Sequence, residues 1–125
     1  MLKEFLKGVN LDYLASGEPK IDIETFLEKW KNGEAILLDV RTKEESRFVS
    51  LEAFGLNIPL SELPDRVSEL PKDKLICTIC PGKIRATLAF AFLIDCGFKN
   101  VKILTGSPAE LVDTLKPGFI KKKLL

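Results

Sequence analysis

The sequence predicts an α/β fold with an open, mainly parallel sheet of five strands and helices on both faces. Two continuous apolar runs, Ala35–Arg41 and Lys74–Ile79, are typical of strands that are buried on both faces. Shorter strand candidates and segments with helical spacing of apolar residues alternate with these runs, as they do in β–α units. The length of 125 residues fits one domain with a substantial core.

Residues 1–20 are predicted to form a helical extension and a linker. The apolar residues of Met1–Tyr13 have the spacing of a short amphipathic helix, and Ala15–Pro19 contains the glycine and proline that interrupt such a pattern. A further helix is predicted over Glu24–Lys31, because its apolar residues recur at helical spacing. Gly33 lies where this helix is expected to stop.

Between the two buried strands, the sequence predicts a helix, a short strand and another helix. Thr42 and Glu45 match a capping box, in which each side chain bonds to the backbone N–H of the other residue at a helix start. Gly55–Ile58 is the short strand candidate. Ser61–Leu70 is predicted to be helical, with Ser61 as its N-cap and Pro64 as an early kink or N-terminal residue.

After the second buried strand, the pattern predicts a buried helix, a strand and a last helix. Arg85–Cys96 is apolar on nearly all sides, which is typical of a buried helix. Val101–Leu104 is the strand, and Pro108–Leu115 is the last helix, because proline is favoured in a first helical turn. Residues 119–125, which include Lys121–Lys123, are expected to form a basic tail in solvent.

Charge and hydropathy do not indicate a nucleic-acid or membrane partner. The chain has 19 basic and 18 acidic residues, a formal net charge of +1. Its longest apolar segment, Ala86–Ile94, is about half of the ~20 residues that a membrane-spanning helix requires. Three cysteines without disulfide-like spacing, and no secretory signal, lead us to expect a cytoplasmic protein.

The chain contains no histidine, which excludes Ser-His-Asp and Cys-His catalysis. Three cysteines without histidine also cannot complete a closed four-ligand zinc site. No motif in the sequence implies a metal or a cofactor, and none is predicted. Glutamine is absent while lysine and glutamate are abundant, a composition typical of thermophilic proteins.

Cys80, at the end of the second buried strand, is the strongest chemical signal in the sequence. A turn with Gly82 and Lys83 follows it, and a helix begins near Arg85. The positive end of that helix and the neighbouring cations favour the thiolate, which is the nucleophilic form of cysteine. The backbone N–H groups of the turn are suited to a sulfur anion or a small oxyanion. Pro81 contributes none, because proline has no N–H.

Asp39 and Arg41 also lie at the end of a buried strand. Ligands of open α/β sheets bind beyond the carboxyl ends of the strands, so these two residues and Cys80 indicate one site. Two simpler interpretations stay open. Asp39 and Arg41 could equally form a structural ion pair, and Lys83 could be a solvated lysine on an exposed turn.

Four motifs, in this order along the chain, resemble those of the rhodanese-like sulfurtransferase family. They extend over roughly residues 21–118, which we therefore interpret as a single rhodanese-like domain. The motifs are Leu38-Asp-Val-Arg41 followed by Glu44-Glu45, Asn57-Ile-Pro-Leu60, the loop from Cys80 to Arg85, and Gly97-Phe-Lys-Asn-Val101.

The resemblance implies a sulfurtransferase in which Cys80 takes sulfane sulfur from a small anionic donor, such as thiosulfate or polysulfide. Cys80 would hold the sulfur as a persulfide and pass it to a thiol, cyanide or a sulfur-carrier protein. Arg85 would close and orient the loop, and Asp39 and Arg41 would support its surroundings. The donor would be bound by the rest of the loop, which consists of Pro81, Gly82, Lys83 and Ile84.

Three other functions compete with this one. The first is a rhodanese-like module that binds a partner without catalysis. The second is a phosphatase or arsenate reductase, but these relatives have one more residue between cysteine and arginine, so the spacing from Cys80 to Arg85 favours sulfur. The third is a C-x-x-C oxidoreductase that uses Cys77 and Cys80. Residues three apart in a strand lie roughly 10 Å apart, beyond the about 7 Å that a disulfide allows, so Cys77 is expected in the core.

Overall fold

The computed structural model describes all residues from Met1 to Leu125. It contains five strands: β1 (Lys20–Ile21), β2 (Ala35–Asp39), β3 (Gly55–Asn57), β4 (Leu75–Ile79) and β5 (Val101–Leu104). They form one sheet in the order β1-β5-β4-β2-β3, and every neighbouring pair is parallel. This confirms the predicted α/β architecture, with a sheet that is parallel throughout.

Short helices connect and flank the strands. They are α1 (Leu2–Lys7), α2 (Leu11–Ser16), α3 (Ile23–Lys31), α4 (Lys43–Phe48), α5 (Leu63–Arg66), α6 (Ile84–Asp95), α7 (Pro108–Thr114) and α8 (Pro117–Phe119). Two 3-10 turns, Glu52–Phe54 and Val67–Glu69, and a π-helical turn, Ile120–Leu124, complete the structure. None of the helices combines the length and the apolar character needed to cross a bilayer.

Side chains of β2 and β4 alternate between two apolar cores, one on each face of the sheet. Leu38 and Ile76 pack on the face that α6 covers. Leu37 and Cys77 pack on the opposite face, together with buried residues of α3 and α7. Successive strand residues point to opposite faces, so a strand with a core on both sides is apolar at nearly every position.

Two of the predicted helix boundaries are confirmed. At the start of α4, the Thr42 side chain accepts the Glu45 N–H at 3.1 Å and the Glu45 carboxylate accepts the Thr42 N–H at 3.0 Å. At the end of α3, Gly33 has a φ of 76°, which is typical of a helix stop. A second capping box, formed by Ser107 and Glu110 at the start of α7, was not identified from the sequence.

The single helix predicted over Met1–Tyr13 is wrong, because this segment contains the whole of α1 and the beginning of α2. The side chain of Asn10 accepts the N–H of Tyr13 at 3.0 Å and so caps a new helix. Asparagine prefers this N-cap position to a helix interior, which explains why the apolar spacing alone gave the wrong length.

The helix predicted over Ser61–Leu70 is also shorter than expected. Its helical part, α5, is followed directly by a 3-10 turn, and Glu62 rather than Ser61 occupies the N-cap position. Pro64 lies in the first turn of α5, as predicted, where its missing N–H costs no hydrogen bond of the helix.

Both ends of the chain pack on the domain. In α1, the Phe5 ring meets the Phe90 ring of α6 edge-to-face, with 5.6 Å between the ring centroids. At the other end, Phe119 and Leu124 pack against the core that contains α3. The lysines between them, Lys121–Lys123, are exposed.

β2 and β4 are neighbours in the middle of the sheet, and the chain leaves them in opposite directions. After β2 it continues to β3 on one side, and after β4 it continues to β5 on the other. This topology opens a crevice at the carboxyl ends of the two strands, where ligands of open α/β sheets bind. Asp39 ends β2, and Cys80 directly follows β4.

Gly55, the first residue of β3, lies against β2 where no side chain fits. Its partner in β2 is Leu37. A Cβ added at Gly55 would overlap the carbonyl oxygen of Leu37 and lie 2.6 Å from its backbone nitrogen. Both atoms belong to the backbone of a strand that is paired on each side, so neither can move aside. The close approach of β3 to β2 therefore requires glycine.

We expect Gly55→Ala to lower the free energy of unfolding by about 1–3 kcal/mol, the usual effect of overpacking, as measured by urea denaturation. Gly118→Ala is the matched control, because its added Cβ would meet no atom within 4 Å. This control should unfold at the urea concentration of the wild type or above it. Equal midpoints for the two variants would contradict the packing of β3 on β2.

Candidate active site

Cys80 lies between the central strand, β4, and the start of α6. Its side chain is only 2% exposed, whereas residues 81–84 that follow it are exposed. The backbone N–H of Ala86, in the first turn of α6, donates to the Cys80 Sγ at 3.1 Å. The buried hydroxyl of Thr78 donates to the Ala86 carbonyl at 3.0 Å and holds this turn on β4. The sulfur therefore lies where an N–H donor and the helix dipole stabilise negative charge.

Lys83 has an unusual backbone conformation at the N-cap of α6. It is the only residue other than glycine with a positive φ, which is 69°. Its carbonyl oxygen accepts the Thr87 N–H at 2.9 Å and the Thr87 hydroxyl at 2.7 Å. A non-glycine residue in this region costs on the order of 1–3 kcal/mol and persists only where the surroundings impose it. The exposed Lys83 ammonium takes part in none of the ion pairs of the protein.

Arg85 connects the start of α6 to α4 through Glu45. Its guanidinium donates to both oxygens of the Glu45 carboxylate, at 2.6 Å and 2.9 Å. The same carboxylate accepts the Thr42 N–H and so belongs to the capping box of α4. The hydrogen bond from Arg85 is the main reason that the pKa of Glu45 falls from 4.5 to about 2, and it raises the pKa of Arg85. Both groups are thus charged at neutral pH.

Asp39 and Arg41 form a buried ion pair at the end of β2. The Arg41 guanidinium donates to both carboxylate oxygens of Asp39, with the shortest distance 2.8 Å, and to the Val49 carbonyl at 2.8 Å. The Asn57 side chain donates to the carbonyl oxygens of Asp39 and Arg41, at 3.0 Å and 2.9 Å. These bonds hold the segment after β2 in one conformation.

The structure brings the sequence-predicted site residues to one edge of the sheet. The loop from Cys80 to Arg85 and the pair of Asp39 and Arg41 follow neighbouring strands. Pro81 and Arg41 line the same hollow beside the loop. However, neither Asp39 nor Arg41 hydrogen-bonds to the loop. The structural ion pair, left open above as an interpretation of Asp39 and Arg41, is the arrangement that the structure contains.

The contacts of two residues at this edge were not predicted from the sequence. Glu45 was predicted as a capping residue and as part of a motif, and its pairing with Arg85 was missed. The signal was the basic residue at a helix N-terminus, which is unfavourable unless it faces an anion or a carboxylate. Asn57 was noted only as part of a motif, and nothing in the sequence indicates its bonds to two carbonyl groups 16 and 18 residues away.

The other two cysteines lie away from this edge. Cys77 is fully buried in the core on the opposite face of the sheet from Cys80, and burial raises its pKa to about 12. Cys96 is exposed at the end of α6. All three thiols are free, so the C-x-x-C sequence does not form a disulfide. No group of three or more histidine, cysteine, aspartate or glutamate residues is arranged to hold a metal ion.

Comparison with known proteins relates the chain to a family. The chain matches the family model of the rhodanese-like domain over residues 22–113. It is 32% identical over 88 residues to a sulfurtransferase of Allochromatium vinosum, an alignment that covers 70% of this chain and 81% of that protein. It is 33% identical over 104 residues to YrkF, a putative sulfur carrier protein of Bacillus subtilis, covering 81% of this chain. The chain spans only 56% of the length of YrkF.

Solved structures show the same relationship. The chain superimposes on a rhodanese-related protein of Thermoplasma volcanium with a TM-score of 0.67 and 30% identity, covering 78% of this chain and 94% of that one. The single-domain sulfurtransferase RDL2 of Saccharomyces cerevisiae has the same fold, with a TM-score of 0.65 at 21% identity over 77% of this chain and 89% of its own. The match to the family model, the identity to the sulfurtransferase and the parallel fold agree, and the chain belongs to the rhodanese-like domain family.

Proposed function

We propose that the protein is a sulfurtransferase that carries sulfane sulfur on Cys80. The proposal depends above all on the position of the Cys80 sulfur, which accepts the Ala86 N–H at 3.1 Å at the start of α6. This donor and the helix dipole stabilise a thiolate and, after sulfur transfer, the terminal anion of a persulfide. The identity of 32% to a sulfurtransferase supports the same conclusion.

The reaction consists of two displacements at sulfur. With thiosulfate as the donor, the Cys80 thiolate attacks the sulfane sulfur, a new S–S bond forms, the S–S bond of the donor breaks and sulfite leaves. The acceptor then attacks the outer sulfur of the Cys80 persulfide, and the Cys80 thiolate leaves. Each step forms one bond to sulfur and breaks another, so the cycle needs no external oxidant or reductant.

In this mechanism, Arg85 is a positioning residue rather than a reacting group. Its two bonds to Glu45 tie the start of α6 to α4, which keeps residues 81–84 in one conformation around the sulfur. The buried pair of Asp39 and Arg41 supports the neighbouring edge in the same way. A bidentate arginine–carboxylate pair suits this role, because its geometry is specific as well as strong.

The substrates are a small sulfur-containing donor and a nucleophilic acceptor. Lys83 and the free N–H groups of the exposed loop suit a donor with a negative charge. The acceptor is a thiol, cyanide or a carrier protein. The similarity to YrkF, which is named a putative sulfur carrier protein, supports an acceptor of the last kind.

Intact-mass spectrometry tests the nucleophile. After incubation with thiosulfate or polysulfide, the wild type should gain the mass of one sulfur atom and lose it on addition of cyanide. Cys80→Ser should gain none. Cys96→Ser removes an exposed thiol away from the site and is the matched control, which should load sulfur as the wild type does. If the wild type gains no sulfur from either donor, Cys80 is not a sulfur carrier and the domain is a binding module.

Two substitutions test the role of the Lys83 charge, one that removes the charge and one that keeps it. Lys83→Gly removes the ammonium but suits the positive φ of 69°. Because one ion pair in water contributes about 1 kcal/mol, we expect the KM for thiosulfate to rise roughly fivefold. Lys83→Arg keeps the charge and should retain the KM of the wild type. Equal KM values for both variants would mean that Lys83 is only a solvated residue.

The Glu45–Arg85 pair makes a contribution to the free energy of unfolding that depends on pH. The pKa of Glu45 determines in which direction this contribution changes. This pKa falls from 4.5 to about 2 in the folded state, so the pair stabilises the fold above pH 4.5, and the effect disappears as the pH falls towards 2. Glu45→Gln keeps the capping box and should lower the free energy of unfolding at neutral pH by at most about 1 kcal/mol, because solvent screens the partly exposed pair.

Urea denaturation over this pH range checks the prediction. The difference between the wild type and Glu45→Gln should shrink as the pH falls from 4.5 towards 2. Glu44→Gln is the matched control, since this exposed carboxylate forms no side-chain hydrogen bond, and it should follow the wild type. A Glu45→Gln difference that stays constant down to the lowest pH would contradict the pairing.

A further inference from the structure

A hollow of about 600 Å³ adjoins the Cys80 loop at Pro81. Most of its exposed lining is carbon. The residues that line it include Val49 at the end of α4, Pro81 on the loop, and Pro108 and Val112 on α7. The volume falls within the range of small-molecule sites, which are mostly apolar with a few polar groups. The hollow therefore has the size and surface of a binding site, and it begins at the residue after Cys80.

The charges around the hollow do not suit an inorganic dianion. Arg41 is already paired in the buried ion pair, and Arg85 is bonded to Glu45. Two carboxylates, those of Glu45 and Asp113, are themselves part of the lining. A dianion such as thiosulfate would thus meet no unpaired cation in the hollow. The one unpaired cation of the loop, Lys83, lies outside the lining.

We infer that the hollow binds the apolar carbon group of an organic hydropersulfide, R–S–SH, and that this class is the preferred sulfur donor. The inference rests on the proposed function of Cys80 and names the substrate class for the same site. The carbon group would contact Val49, Pro108 and Val112, and the sulfane sulfur would point past Pro81 to the Cys80 thiolate. Binding would then come from apolar contact rather than from charge.

The chemical step is a displacement like the one proposed for thiosulfate. The Cys80 thiolate attacks the outer sulfur of R–S–SH, a new S–S bond forms, and the S–S bond of the donor breaks. The proton of the donor passes through water to the leaving thiolate, so that R–SH is released and Cys80 holds a persulfide anion. One S–S bond replaces another, and no oxidant or reductant is consumed.

The inference predicts how loading depends on the length of the carbon group. The second-order rate of sulfur loading, followed by intact mass, is compared for thiosulfate and for methyl, butyl and hexyl hydropersulfide. Burial of each further methylene should raise the rate roughly threefold until the hollow is filled. Thiosulfate would meet no unpaired cation in the hollow and has no carbon group to bury there. Butyl and hexyl hydropersulfide should therefore load Cys80 faster than thiosulfate.

Two matched variants locate the effect. Val112→Asn makes the wall of the hollow polar at a half-exposed position, and we expect it to lower the hexyl-to-methyl rate ratio about tenfold or more. Leu14→Asn makes the same kind of change at an exposed leucine of α2, outside the hollow, and should keep the ratio of the wild type. Using a ratio within each variant removes any general effect of the substitution on loading.

The outcomes separate this inference from the proposed function. If thiosulfate loads Cys80 but the rate does not depend on chain length, or thiosulfate exceeds every alkyl donor, the function stands and this inference is wrong. It is also wrong if both variants change the ratio equally. If no donor adds sulfur to Cys80, the proposed function fails and the inference fails with it.

Discussion

The turn from β4 into α6 is the constraint on which the rest of the candidate site depends. β4 is the central strand and is paired on both sides, with β2 and with β5. The Thr78 hydroxyl of β4 holds the carbonyl of Ala86, and the N–H of Ala86 points to the Cys80 sulfur. Because β4 cannot shift between its neighbours, the sheet determines where the sulfur lies, and the exposed residues 81–84 only surround it.

The two arginines of this edge are bound by carboxylates of the protein itself. Arg85 pairs with Glu45, and Arg41 pairs with Asp39. Such pairs order the segments that follow β2 and β4, but they leave little free positive charge for a substrate. In the mechanism proposed above, recognition of the donor therefore depends on backbone N–H groups, on Lys83 and on the apolar hollow beside Pro81.

The predictions from sequence succeeded where the physical signal is local and failed where a single residue overrides a pattern. The buried strands and the capping box of Thr42 were predicted correctly, because a strand core and a helix cap are encoded within a few residues. Asn10 divides the helix that was predicted at the N-terminus. There, a hydrogen-bonding requirement of the backbone outweighed the spacing of apolar residues.

By itself, the sequence determined the parallel α/β fold and the position of Cys80 between a buried strand and a helix, since both follow from periodicity and turn chemistry along the chain. Only the tertiary structure decided which groups neutralise Arg85 and Arg41 and how α4 and α7 enclose a hollow beside the loop. Glu45 is 40 residues away from Arg85, and the lining residues Val49 and Val112 follow α4 and belong to α7, respectively. Contacts over such separations arise from the order of the strands, which periodicity does not encode.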